Sequence, residues 1–488
     1  MAGRSVIIGG NCPATLAPDS LVADGVPVDL VVLAPTLAEC STKGWLQAAS
    51  VSAARLVSGE GLVYVLAPFL WRPRIKNLLS QAGLPTVLSI AHLPDWDANR
   101  YLMPLRAAPI QYACSNLMGI RSWTRELIRL ALGVPGSTAM LTNLMPSIGM
   151  VARRSQAPPL FAWLFEHETE GRHSGDAIVA TSWRGQGGTV ALHGFAGHDA
   201  RPTAIAKVAL TPAAAFRAEE EGARLTRLGP AARQAGVQVP QLLSVSRTAR
   251  SPVLLQSAVS GRLVSLLLAA ERNRLMEIVD RLADWLGRWH RLTMTITPLT
   301  SDLLNEELLG PATVLAPNLQ HGSEYVDWLT LHCARNVGVP VPLVATHNDL
   351  TMWNVVLDAR ATLGVVDWEA GRERALPLGD FFFGATDAVA ASFGYVDRLA
   401  AFKACFAPDG RYARAIAERQ ERVMRAIGLS PQIAELSLHA CWLQHAVNEH
   451  RASSGRGSRP FLAIVQWLAN RRSDHHSIQL ERADNGRS

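Results

Sequence analysis

The sequence predicts a mixed fold, α/β at its N-terminal end and α+β beyond, with more than one domain. Three observations carry this. Short β-rich runs alternate with helical spacing over residues 1–150, strands around glycine-rich turns fill 160–258, and from 259 onward apolar residues recur mostly at helical intervals. At 488 residues the chain exceeds one ordinary core, and 48% hydrophobic with 18% charged residues is a globular rather than a disordered balance.

In the first region Val6–Gly10, Val28–Leu33 and Leu62–Leu66 read as strands, the last introduced by a turn at Ser58-Gly59-Glu60-Gly61. Trp45–Leu56 has helical spacing between the latter two, and strand, helix, strand favours a parallel, Rossmann-like layer. Ala157-Pro158-Pro159 marks a linker. Next, Ala177–Trp183 and Thr189–Phe195 flank Arg184-Gly185-Gln186-Gly187-Gly188 as a hairpin. Thr203–Val208 is a third strand, Ala213–Leu228 a helix and Val253–Ser257 a buried strand. The helical half holds Leu275–Leu292, Glu324–Cys333, Val396–Phe406, Tyr412–Ile427 and Ile433–Ala452. The expected domains are therefore 1–150, 160–258 and 259–475, with a flexible tail over 476–488.

Composition excludes several classes. The net charge of +6 is spread thinly and forms no basic stripe, so acidic nucleotides are expected as partners and nucleic acid is not. Six separated cysteines include no C-x-x-C pair, which argues for reduced thiols rather than a zinc site or disulfide framework. No basic start leads into a long apolar run, and Leu263–Ala270 is too short to span a bilayer. A cytoplasmic protein without membrane insertion is expected.

The chemistry concentrates in Thr346-His347-Asn348-Asp349-Leu350-Thr351-Met352-Trp353-Asn354 and the following Val365-Val366-Asp367-Trp368-Glu369. H-x-D-x-x-x-x-N followed by an apolar strand ending in aspartate is the spacing of a kinase catalytic loop and its metal-binding strand. Asp349 would orient an acceptor hydroxyl or take its proton. Asn354 and Asp367 offer hard oxygens suited to Mg²⁺. His347 would order the loop by hydrogen bonding rather than act as a base.

Phosphoryl transfer also needs a cation on the nucleotide, and Lys207 in Ala204-Ile205-Ala206-Lys207 is close to the V-A-I-K strand pattern. Of Glu219, Glu220 and Glu221 on the next helix, Glu221 is the choice to hold it, because Leu225 and Leu228 follow on the same face. Gly185-Gln186-Gly187-Gly188 could cover the phosphates with backbone N–H groups. Singly, each residue has a plain explanation: Asp and Asn cap turns, a strand lysine is usually surface, and a glutamate run is usually a solvated face. The ordered set has none. Asp380 fits either a brace for the loop or the cap of a helix starting at Phe381. Glu369 and Arg372 flank the metal strand and could touch substrate, though surface roles fit them better. Asp302, Glu306, Glu307, Asp380 and Asp387 could meet a cationic acceptor.

With these residues in order, about 175–470 resembles the aminoglycoside phosphotransferase and choline kinase family. The resemblance rests on His347-Asn348-Asp349 through Asn354, Val366-Asp367-Trp368-Glu369, Pro377 through Asp380, and Leu254-Leu255-Gln256-Ser257-Ala258-Val259-Ser260-Gly261. It implies a two-lobed, protein-kinase-like fold with ATP between a strand-rich and a helical lobe, and adenine contacts from the backbone of Gln256, Ser257 and Ala258. It also implies a small hydroxylated acceptor, since no A-P-E segment follows Asp367-Trp368-Glu369. More faintly, residues 29–65 resemble the later strands of a class I S-adenosylmethionine-dependent methyltransferase. No G-x-G follows Gly9-Gly10, and the region that would hold the ribose-binding acid is missing. A degenerate, non-catalytic α/β domain is expected there, docking a protein partner or presenting substrate.

Three readings follow: an ATP- and Mg²⁺-dependent phosphotransferase, a nucleotide-binding scaffold that docks a partner through residues 1–150, and methyl transfer by that region.

Overall fold

The computed structural model describes residues 5–8, 27–66, 69–93, 101–117, 130–131, 148–154, 173–181, 188–196, 201–247, 252–452 and 459–471. Gly9-Gly10, the Ala157-Pro158-Pro159 linker, residues 184–187 of the glycine-rich loop and the 476–488 tail lie outside them. The chain forms two compact units, Met1–Gly222 with Leu242–Ala258, and Ala223–Gln241 with Val259–Ser488.

The first unit is organised by one sheet. Strands β1 (Ser5–Ile8), β2 (Val28–Leu33) and β3 (Val57–Leu66) run parallel. Val28, Val31, Val32 and Leu33 are all buried, the near-continuous burial of a parallel strand covered on both faces. Helix α1 (Leu37–Ser41) starts from a capping box between Thr36 and Glu39. Helix α2 (Trp45–Leu56) buries Leu46, Ala49, Ser50 and Ala53, an i, i+3, i+4, i+7 stripe. With Ile75 and Leu79 of α3 (Arg72–Gln81), that stripe packs on Val31, Val63 and Val65. The expected turn at Ser58–Gly61 is instead extra length within β3, where the register steps from Val28↔Val57 to Leu30↔Leu62. A Cβ on Gly61 would lie 2.6 Å from Val57 Cγ2 and 2.9 Å from the Val28 carbonyl oxygen, so the bulge requires glycine.

Beyond β3 the sheet turns antiparallel through β4 (Thr86–Leu93), β5 (Tyr101–Pro104) and β6 (Ile148–Ala152), with α4 (Ala107–Tyr112) following β5. It continues into β7 (His173–Thr181), β8 (Thr189–Ala196) and β9 (Pro202–Ala209). The join is β5 against β7, with Tyr101↔Ala180 and Leu102↔Val179. A single eleven-stranded sheet, ordered β1-β2-β3-β6-β4-β5-β7-β8-β9-β11-β10, thus carries both the N-terminal layer and the strand-rich region. Helix α5 (Pro212–Gln234) follows β9 and runs through Gly229-Pro230, past the sequence-expected end at Leu228. Ala232 and Ala235 are buried with Leu225 and Leu228, and this packing outweighs one lost backbone donor. Strand β10 (Leu242–Arg247), unanticipated and largely half-exposed, forms the sheet edge beside β11 (Pro252–Ser257).

The second unit is mostly helical. After β12 (Arg262–Leu263) and α6 (Val264–Ala270), helix α7 (Leu275–Thr293) buries Ile278, Leu282, Trp285 and Trp289. Strand β13 (Thr295–Pro298) and helix α8 (Gly322–Asn336) lead to β14 (Pro340–Thr346). Strand β15 (Val355–Leu357) pairs with β12 on one side and β16 (Leu363–Val365) on the other, and β17 (Arg372–Ala375) pairs with β14. Helix α9 (Gly379–Ser392) is buried from Asp380 to Ser392 and leads to α10 (Arg398–Phe406), α11 (Ala413–Ile427) and α12 (Pro431–Ala452). Among the described residues no helix is long and apolar enough to cross a membrane.

Candidate active site

In the second unit the site is a loop between two short strands. Strand β14 ends at Thr346, residues 347–354 loop back, and the β15–β16 hairpin returns the chain to Asp367. Asn354 ties the ends together. Its N–H donates to the Thr351 carbonyl and its own carbonyl accepts from Val366 N, both at 2.9 Å. Its Nδ2 donates to the Asp349 carbonyl at 2.9 Å and to Asp349 Oδ2 at 3.0 Å. The carboxamide oxygen takes no part in these bonds. His347 Nε2 lies 2.9 Å from the Val366 carbonyl, and its ring meets Trp368 edge-on at 5.0 Å. Trp368 in turn donates to the Val365 carbonyl at 3.0 Å. Asn348 and Asp367 sit at φ of 63° and 66°, a left-handed conformation that Asn and Asp tolerate better than most side chains.

The loop is gripped from below by α9. Both oxygens of Asp380 accept backbone N–H groups, from His347 and Asn348, each at 2.7 Å. Helix α9 begins at Gly379 after Leu378, so Asp380 is not its cap. Two turns on, Asp387 Oδ2 accepts from Met352 N at 2.7 Å and from the Tyr395 hydroxyl at 3.0 Å, while Oδ1 pairs with Arg398 at 2.9 Å. Asp387 is fully buried, which removes it from any contact with an acceptor. Sequence reasoning missed this second grip, though the seven-residue spacing from Asp380 places both carboxylates on one helix face.

Burial dominates the electrostatics. It pushes Asp349 up to about 7, reinforced by the Asp367 and Asp387 carboxylates and opposed by the Asn354 hydrogen bond. Asp380 is likewise raised by burial, to about 6, against its two backbone donors. Glu369 is exposed, and its carbonyl accepts from Arg224 on α5. Arg372 forms ion pairs with Glu306 and Glu307.

In the first unit, Lys207 on β9 and Glu221 on α5 meet directly. Lys207 Nζ lies 2.7 Å from Oε1 and 2.6 Å from Oε2 of Glu221, which is 1% exposed. Antiparallel pairing of β9 with β11 places Lys207 opposite Leu254 and Gln256 opposite Ile205. Gln256 is buried, Ser257 and Ala258 are half-buried, and the Ala258 N–H is donated to the Thr203 carbonyl at 3.0 Å. The chain leaves the first unit between Ala258 and Val259.

Among the described residues no three His, Cys, Asp or Glu side chains converge as a metal cage. Asn354 and Asp367 are a sparse pair of hard oxygen donors, which is what Mg²⁺ uses when waters and phosphates complete its shell.

Residues 191–372 match the model of the phosphotransferase enzyme family. No curated protein sequence matches the chain significantly. Among solved structures, the aminoglycoside phosphotransferase APH(3'')-Id from Streptomyces rimosus ATCC10970, in complex with ADP and streptomycin, is 17% identical. The match covers 58% of this chain and 98% of that one, with a TM-score of 0.36. An aminoglycoside-3'-phosphotransferase of type VIII is 17% identical over 52% and 87% of the respective chains, with a TM-score of 0.33. A type I macrolide 2'-phosphotransferase is 11% identical over 63% and 95%, with a TM-score of 0.35.

Proposed function

We propose that the chain is an ATP- and Mg²⁺-dependent phosphotransferase that moves the γ-phosphate to a hydroxyl of a small molecule, with aminoglycosides, amino-alcohols and sugar-like compounds as the acceptor classes. The observation that carries this is the bond pair from Asn354 to Asp349, in a segment that matches a phosphotransferase family model. It orients one carboxylate that burial, against this very bond, raises to about 7, near the protonation balance a base needs.

In this reading Asp349 orients the acceptor hydroxyl and takes its proton as the oxygen bonds to the γ-phosphorus. The bond from that phosphorus to the bridging oxygen breaks, and ADP leaves. Asn354 and Asp367 hold Mg²⁺, which when bound neutralises charge on the phosphates. Lys207, fixed by Glu221, engages the phosphates, and the backbone of Gln256, Ser257 and Ala258 takes the adenine. Residues 1–150 serve as a non-catalytic docking or substrate-presenting layer.

The test is ADP release from ATP by the purified full-length protein, with and without Mg²⁺, across a panel of hydroxylated metabolites and aminoglycosides. Acceptor-stimulated, Mg²⁺-dependent release supports the reading. Tight nucleotide binding with no turnover on any acceptor favours the scaffold alternative, and saturable S-adenosylmethionine binding would reassign the N-terminal layer.

A further inference from the structure

Beside the catalytic loop lies a cleft of about 550 Å³, with Asn348, the neighbour of Asp349, in one wall. The polar lining is otherwise Asn305, Glu306, Arg372, Gln444, Asn448 and Arg451. A polycationic acceptor would need carboxylates not already engaged by other groups. Among the described lining residues Glu306 is the one carboxylate, exposed but sharing a single arginine with the buried Glu307. Arg372 bonds Glu306 at 3.3 Å and also pairs with Glu307, whose side chain is only 4% exposed. Gln444 Nε2 holds the carbonyls of Glu306 and Glu307 at 3.1 and 3.4 Å, fixing the turn that carries both acids. Asp380, in the adjoining floor, is spent on two backbone N–H groups.

Among the described residues the cleft therefore presents carboxamides and the Arg372 and Arg451 guanidinium groups against one lining carboxylate, Glu306, which shares Arg372 with Glu307. Carboxamides both donate and accept hydrogen bonds, as hydroxyl groups do. We infer that the acceptor seated in this cleft is an electrically neutral polyhydroxylated compound, sugar- or cyclitol-like, and not a polycation. The inference rests on the phosphotransfer reading and narrows its acceptor.

The experiment measures kcat/KM for acceptor-stimulated ADP release by the full-length protein with glucose, myo-inositol, sorbitol, kanamycin and fully N-acetylated kanamycin. Nucleotide binding is followed separately. Neutral members should stimulate release, and acetylated kanamycin should exceed kanamycin. Arg451→Glu places a carboxylate at an exposed rim position, where folding is not at stake. It should move the kanamycin-to-neutral ratio toward kanamycin by about five- to tenfold. Kanamycin as the best wild-type acceptor, or a ratio indifferent to Arg451→Glu, overturns the assignment. So does intact nucleotide binding with no neutral member active, which leaves the phosphotransfer reading standing; absent nucleotide binding brings down both.

Discussion

The Asn354 carboxamide donates twice to Asp349, to its carbonyl at 2.9 Å and to its carboxylate at 3.0 Å. One side chain thus fixes both the backbone and the rotamer of the residue placed to face the acceptor. It does so with its nitrogen, and its oxygen takes no part in either bond. The proposed base and the proposed metal ligand are thus parts of one local arrangement, and that interdependence makes the predictions below specific.

Asp349→Ala removes the proposed base but no phosphate contact. Turnover should fall by about 10²- to 10⁴-fold while nucleotide affinity stays unchanged. Single-turnover ADP formation alongside a fluorescent-nucleotide titration separates the two quantities. Turnover equal to wild type would end the mechanism.

Asp349 also predicts a pH-dependent stability. Its folded pKa, about 7, lies above the ordinary aspartate value of 3.8, so the protonated form favours the folded state. The penalty is absent below about pH 4, grows as pH rises and is complete above about 7. Asp349→Asn should therefore be neutral at pH 4 and stabilising at pH 8, on the order of a few kcal/mol. Urea midpoints at both values decide it; a stabilisation larger at pH 4 than at pH 8 would be the wrong sign.

Lys207→Met should weaken nucleotide binding by about ten- to a hundredfold, the worth of a hydrogen bond to a charged group. Glu221→Gln should weaken it less, since the ammonium remains but loses its tether. In the double variant the two losses should fall short of adding, because one disables what the other positions. Strict additivity in nucleotide titrations would show that the pair does not act as a unit.

Asp380→Ala strands two buried N–H groups at the start of the catalytic loop. A stability loss of about 2–4 kcal/mol is expected, with turnover falling further than nucleotide affinity. Asp387→Asn should act the same way, more weakly, through Met352 N and the Arg398 ion pair. Chemical denaturation combined with the two kinetic readouts checks both. Full turnover in Asp380→Ala would mean the loop holds its shape without α9.

The sequence alone determined what is written in local periodicity and spacing. Val28–Leu33 was legible to the residue as a short β-branched and apolar run, and Trp45–Leu56 because it hides one side at helical spacing. The Asp349, Asn354 and Asp367 spacing was legible because a tight loop and a hairpin leave few other geometries, and Glu221 because Leu225 and Leu228 mark its face. What only tertiary structure decided depends on partners far along the chain. Pairing of β5 with β7 made one sheet of two expected layers, and packing around Ala232 and Ala235 carried α5 through Pro230. Burial turned Asp387 from a candidate surface acid into a brace, and Arg372 became the shared partner of Glu306 and Glu307. The physical reason is common to all of these. Period and steric preference belong to a segment, whereas strand pairing, desolvation and charge neutralisation belong to whatever the fold sets beside it.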